Sequence, residues 1–307
     1  MINLLWIIPT VLIVLYLLSV SGRAGHKGLD ALQGNVFAHR GLHNDTRPEN
    51  SLSAFKAAKE KGYGIELDLH LLKDGSLAVF HDHTLVRMTG KDGTVEDLTA
   101  KDLTQIHLNG TAETIPTFEE VLALFDGTVP LIVELKAAKN HGALVDAAVK
   151  ALRGYRGAYC VESFDPRCLW HLRRWHPDII RGQLSQNFMK SDEKLSGVTK
   201  FVLTHLLTNF LTRPDFVAYR FTDRKELSVT LARKLWGVQG VVWTLTDNEQ
   251  HAKALKEGYL PIFENYEPFY VSLLCRAGPW SCRPVISLQR EEQAPPLPTL
   301  PWIKLCH

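Results

Sequence analysis

Short apolar runs rich in β-branched and aromatic residues recur along the chain, at 36–38, 64–69, 131–135, 158–162, 179–184, 215–219, 240–245 and 259–263. Between most of them lie stretches whose apolar positions return every three or four residues: 51–61, 144–153, 167–175, 225–236 and 248–256. The first pattern predicts buried strands and the second amphipathic helices. Eight strands alternating with helices predict a parallel α/β architecture. Periodicity alone accommodates a closed (β/α)8 barrel and a doubly wound open sheet about equally well.

Four segments depart from simple alternation. Residues 82–130 are too long for one helix and carry the turn signals Asp92-Gly93 and Asn109-Gly110, so a small insertion is expected after the second strand. Residues 200–213 place Leu203, Leu206, Leu207, Phe210 and Leu211 on one stripe of a predicted helix, to be packed on the main body or turned toward a membrane. Residues 2–20 are almost unbroken apolar sequence, and 19 residues of helix reach about 28 Å, near the hydrocarbon thickness of a bilayer. No Lys or Arg precedes this run, which favours an uncleaved transmembrane anchor over a signal peptide. Arg23 and Lys27 follow it and favour a cytoplasmic domain on a single-pass membrane protein. At the other end, six of the 15 prolines fall between Pro279 and Pro301, and a disordered tail is expected over 271–307. The expected organisation is an anchor over 1–21, a linker over 22–33, a catalytic body over 34–270 and the tail.

The chemistry gathers where strands end. His39-Arg40, Glu66 with Asp68, His81-Asp82, and Glu134 with Lys136 each lie at or just past an apolar run. Residues two apart on a strand point the same way, so Glu66 shares a face with Asp68 and Glu134 with Lys136. Three carboxylates with no cysteine nearby make a hard, oxygen-rich site suited to Ca²⁺ or Mg²⁺. Two histidines beside it can supply an acid and a base.

These residues carry a family resemblance. The order His-Arg-Gly at 39–41, Pro-Glu-Asn-Ser at 48–51, Glu-x-Asp at 66–68, Asp-Gly at 74–75, His-Asp at 81–82, Glu-x-Lys at 134–136 and Val-Trp-Thr at 242–244 resembles the glycerophosphodiester phosphodiesterases. The resemblance covers about residues 34–267 and implies a (β/α)8 TIM barrel with a small insertion after its second strand. It further implies metal ligands Glu66, Asp68 and Glu134, catalytic His39 and His81, phosphate-binding Arg40 and Lys136, and Trp243 near the mouth of the pocket. Glu49 is expected either in a structural role or behind the metal site or a histidine, with the structural role favoured, and Asp82 either orients a neighbour or caps a turn. One departure stands out: after the last strand this chain has Phe263-Glu264-Asn265-Tyr266, which the resemblance places on the rim that selects the alcohol, away from the catalytic cluster.

The implied activity is metal-dependent hydrolysis of a glycerophosphodiester to glycerol 3-phosphate and an alcohol. The apolar N-terminus adds membrane lysophospholipids as alternative substrates. A membrane-tethered binding protein without turnover is disfavoured because every chemical role is filled. A phosphosugar isomerase or aldolase leaves the two histidines unexplained. A net charge of +2 with no basic run gives no reason to expect nucleic acid. Five cysteines, an odd number without metal-ligand spacing, argue against a disulfide framework.

Overall fold

The computed structural model describes residues 4–136 and 138–268. Eight parallel strands close into a barrel: β1 (Phe37–His39), β2 (Gly64–Leu71), β4 (Leu131–Leu135), β5 (Tyr159–Ser163), β6 (Arg181–Ser185), β7 (Phe216–Arg220), β8 (Gln239–Leu245) and β9 (Tyr259–Phe263). Closure comes from β1, which pairs with both β2 and β9. The open-sheet alternative is thereby removed. A ninth strand that the pattern did not predict, β3 (Leu77–Val79), pairs antiparallel with β2 and turns the chain back to deliver His81 to the same end of the barrel.

Strand alternation sorts the core into two. Ile65, Leu67, Val133 and Val161 face outward against helical residues such as Phe55, Phe125, Leu144 and Leu169. Leu29, Leu32, Phe37, Ile132, Phe216 and Ile262 form a second cluster that fills the barrel's interior at its N-terminal end. Gly182 makes room there: a Cβ would lie 2.0 Å from the Phe216 ring, so this position tolerates no side chain. The insertion after β2 has its own small core, including Phe80, Leu85, Met88, Val95, Leu103 and Ile115.

Three expectations change. The apolar N-terminal run forms helix Leu4–Ser19, 16 residues and therefore about 24 Å long. Among the described residues no helix is long and apolar enough to cross a membrane. Within the described residues the helix ends at Ser19, one residue before the expected end, because the chain leaves it by Val20 and Ser21, which are buried. Trp236 holds that exit by donating to the Leu17 carbonyl at 2.9 Å. Residues 22–33 do more than link: Arg23 pairs with buried Asp215 at 2.5 Å, and a 3₁₀ turn, Lys27–Ala31, sends Leu29 and Leu32 into the barrel base. The stripe over 203–211 is not one helix. It breaks between helices Gly197–Thr204 and Asn209–Thr212, where Leu206 takes a left-handed φ of 56° and buries its side chain, while Phe210 and Leu211 stay exposed. The tail expected over 271–307 lies outside the described residues.

Leu32, 1% exposed, is the sharpest probe of the barrel base. Leu32→Ala is expected to lower stability by about 2–5 kcal/mol, the usual range for emptying a buried leucine site. Denaturant unfolding checks this, and a cost near zero would mean that 22–33 contributes only as a tether.

Candidate active site

The C-terminal ends of the strands bring the predicted cluster together. Asp68 and Glu134 are register partners across β2 and β4, and His39 pairs with Glu66 across β1 and β2. Glu66, Asp68 and Glu134 are all buried, and one oxygen of each lies within 4.8 Å of the others. Burial, reinforced by the neighbouring carboxylates, pushes Glu66 well above the usual carboxylate range. Burial also drives Glu134 up to about 7 against the pull of Lys136. Asp68 goes the other way: burial favours its neutral form, but Lys136 and Arg40 outweigh that and hold it well below the ordinary value. Hard oxygen donors in this close array, two of them resisting ionisation through repulsion and desolvation, fit a divalent cation.

The two bases are committed to these acids. Lys136 Nζ lies 2.8 Å from both Asp68 Oδ1 and Glu134 Oε1. Arg40 donates its backbone N–H to Glu66 at 3.1 Å and its guanidinium to Glu49 at 2.8 Å, with Nε 3.4 Å from Asp68. Arg40 holds a left-handed φ of 56°, and the following Gly41, at φ 84°, packs against Ala54 so closely that a Cβ would fall 2.9 Å from its carbonyl carbon. That contact explains a glycine directly after His39-Arg40.

Each histidine has a carboxylate behind it. His81 Nδ1 is 2.6 Å from Asp82 Oδ1, and His39 Nδ1 is 3.3 Å from Glu264 Oε2. At His81 the carboxylate hydrogen-bonds Nδ1 and leaves Nε2 as the proton-transfer atom; at His39 the Glu264 contact is an ion pair without a hydrogen bond, and Nε2 lies 3.9 Å from Glu66. Burial, aided by Lys136 and Arg40, lowers His81 to about 4 despite Asp68 and Asp82. Burial likewise lowers His39, with Glu264 opposing it.

Sequence reasoning missed three residues here and misjudged one. Arg87 clamps Asp82 (2.5 and 3.0 Å) and Glu49 (2.6 and 3.0 Å), tying the insertion to the Pro-Glu-Asn loop. Asn50, buried with φ 56°, donates to Asp68 at 2.8 Å. His43 joins Glu264 at 3.0 Å. Glu264 itself was expected on a specificity rim and instead touches His39; its place directly after a strand was the available signal. Asp82 resolves to the orienting role and Glu49 to a bridge between Arg40 and Arg87. Trp243 stands in an aromatic layer at the mouth, edge-on to Phe164 at 5.7 Å with Arg220 over its ring, and its buried Nε1 has no protein acceptor.

Removing the Glu264 charge should expose how far burial depresses His39. In Glu264→Gln the His39 pKa is expected to fall further, because the largest of the influences raising it is lost while that of Asp68 remains. An NMR titration of His39 Cε1 reads this directly, and an unchanged or raised value would contradict the pairing.

Comparison with known proteins agrees with this geometry. The model of the glycerophosphoryl diester phosphodiesterase family matches residues 39–266. A glycerophosphodiester phosphodiesterase of Caldanaerobacter subterraneus is 33% identical over 162 residues, 49% of this chain and 66% of that relative. One from Bacillus subtilis is 24% identical over 256 residues, 76% of this chain and 84% of the relative. Among solved structures, an Oleispira antarctica phosphodiesterase in complex with sn-glycerol-3-phosphate superposes with a TM-score of 0.63 at 23% identity, covering 77% of this chain and 95% of that one. The Thermotoga maritima glycerophosphodiester phosphodiesterase gives 0.57 at 26% identity, covering 75% and 93%. A match over most of the chain, on a closed barrel with its acids, bases and histidines at one mouth, means that the chain belongs to the glycerophosphoryl diester phosphodiesterase family.

Proposed function

We propose that this protein hydrolyses glycerophosphodiesters to glycerol 3-phosphate and an alcohol, using a divalent cation, Ca²⁺ or Mg²⁺, held by Glu66, Asp68 and Glu134. The observation that carries the proposal is the pair of carboxylate-backed imidazoles flanking a buried cluster of three acids and two bases. When bound, the cation neutralises phosphate oxygens and polarises the phosphorus. Arg40 and Lys136 add positive charge on the same side, exchanging part of their pairing with Asp68, Glu134 and Glu49 for the phosphate. One imidazole accepts at Nε2 the proton of the attacking group, either water directly or a substrate hydroxyl whose cyclic phosphate water then opens, and the other delivers a proton to the leaving oxygen. Burial lowers the pKa of both rings and suits the base; the ring that acts as acid has to carry a proton at Nε2 as well as the Nδ1–H facing the carboxylate behind it. Trp243, half-buried beside Phe164, offers a flat apolar wall to the glycerol or alcohol portion.

A second reading, lysophospholipid substrates, draws support from the loop after β6. It exposes Met189, Leu195, Val198 and Phe201 beyond the strand end that faces the pocket. The helix Leu4–Ser19 also leaves Trp6, Ile8, Leu12 and Ile13 exposed, and a helix apolar all round needs a cover. We therefore propose that this helix holds the barrel at a membrane. A cytoplasmic orientation rests on Lys27 alone, because Arg23 is spent on Asp215. Val198→Glu with Phe201→Glu should reduce hydrolysis of vesicle-presented lysophospholipid while sparing soluble glycerophosphocholine. Equal loss on both substrates would reject the lipid reading, and an alkaline phosphatase fusion that is active in the periplasm would reject the orientation.

Two outcomes test the main proposal. Chelation should abolish release of glycerol 3-phosphate, with Ca²⁺ or Mg²⁺ restoring it; full turnover by demonstrably metal-free protein would overturn the assignment. His39→Ala and His81→Ala should each lower kcat by about 10²- to 10⁴-fold, the usual contribution of a general acid or base. Wild-type rates in either variant would remove that histidine from the chemistry.

A further inference from the structure

Behind the catalytic His81 lies a second cluster of metal-ligating side chains that the hydrolysis does not use. His70, on β2, is almost fully buried and places Nδ1 2.7 Å from Glu96 Oε1. His83, two residues past His81, places its own Nδ1 2.8 Å from the same oxygen. Glu96 comes from the 3₁₀ turn Val95–Asp97 of the insertion, and its other oxygen, Oε2, is buried without a partner. One ligand atom from each of the three residues falls within 4.8 Å of the others.

The tautomer of His70 is set from its far side. Its Nε2 lies 3.2 Å from the His81 carbonyl, which can only accept, so Nε2 carries the hydrogen. Its Nδ1 therefore faces a carboxylate oxygen at 2.7 Å, a contact bridged by a proton or by a metal cation. A histidine whose second N–H is fixed by a backbone carbonyl is the usual arrangement of a metal-ligating imidazole. The same oxygen faces a second imidazole nitrogen, so one cation serves all three groups. Two imidazoles and a carboxylate select a borderline transition ion such as Zn²⁺ over Ca²⁺ or Mg²⁺, which prefer oxygen-only sites. Ligand distances of about 2.0–2.2 Å require Glu96 to draw back by a few tenths of an ångström, a small shift for a side chain on a short surface turn.

We propose that His70, His83 and Glu96 form a Zn²⁺-class site, separate from the hydrolytic cation, that fastens the insertion to β2. Through the His70 N–H the ion also braces the backbone carbonyl of His81. The site therefore positions a catalytic histidine without touching substrate.

The test uses the full-length protein in excess Mg²⁺, which occupies the carboxylate cluster and competes poorly for imidazole. Zn²⁺ binding is read by competition with a chromophoric chelator and Co²⁺ by its visible d–d absorption, with the thermal midpoint recorded in parallel. Wild type is compared with His83→Ala and Glu96→Gln, so that the cysteines and the exposed Asp146–His171–His176 group contribute equally to every arm. The expected result is one equivalent of Zn²⁺ whose affinity falls roughly 100-fold or more in both variants, since losing even an outer partner typically costs about 10- to 100-fold. A tetrahedral Co²⁺ band and a Zn²⁺-dependent rise in the midpoint should disappear with it. His83 is largely exposed, so its replacement leaves the fold intact, and matching midpoints without metal verify that. Zn²⁺ binding that is the same in wild type and variants, or absent from both, overturns the proposal and leaves a proton as the only bridge between His70 and Glu96.

Discussion

Three carboxylates buried together at the end of two adjacent strands are the constraint around which this molecule is arranged. An isolated buried carboxylate costs several kcal/mol of desolvation, and three close together add mutual repulsion. The surrounding chain answers that charge. Lys136 bridges Asp68 and Glu134, Arg40 reaches Asp68 and Glu66, and Asn50 donates to Asp68. The left-handed backbone at Arg40 and Asn50 is the local cost of aiming those donors inward, held in place by the Gly41–Ala54 packing. A cluster so poised has a cation-shaped deficit at its centre, and its protein cations are positioned to release when a phosphate arrives.

Outside this cluster, a second layer of ion pairs decides the geometry of the chemistry. Arg87 holds Asp82, Asp82 holds His81, and the same guanidinium reaches Glu49, which holds Arg40. One exposed arginine of the insertion thus connects a histidine with a phosphate-binding base. On the opposite side, Glu264 joins His39 to His43. The two imidazoles are therefore oriented by independent supports, one from the insertion and one from the last strand.

How much of this was legible in the sequence follows from the range of the interactions. The eight barrel strands were readable because each holds or borders a short apolar run set between helical stretches, and Glu66, Asp68, Glu134 and Lys136 because alternation fixes their faces locally. β3 was not, since three residues between Gly75 and His81 carry too little pattern. Glu264 escaped because His39 lies far along the chain and only barrel closure brings them together, and Arg87 because its contact with Glu49 depends on how the insertion folds back. The helix expected over 200–213 failed at Leu206, where burying one leucine overrode an otherwise continuous helical period. The N-terminal run was apolar enough to suggest a span, but tertiary contacts at Leu17 and Val20 claimed its end.

The aromatic and aliphatic plug at the barrel base, with Phe216 filling the space above Gly182 and Leu29 and Leu32 closing it from below, makes the interior a blind well. A well with one opening has a traffic rule. Substrate, water and both products share a single door past Trp243 and the loop after β6, so the group nearest the opening has to leave before the one behind it. A glycerol phosphate held by the buried charges would then depart second, after the alcohol has cleared the mouth. Turnover in such a well is governed as much by how firmly the deep charges grip the last occupant as by the breaking of the phosphate ester.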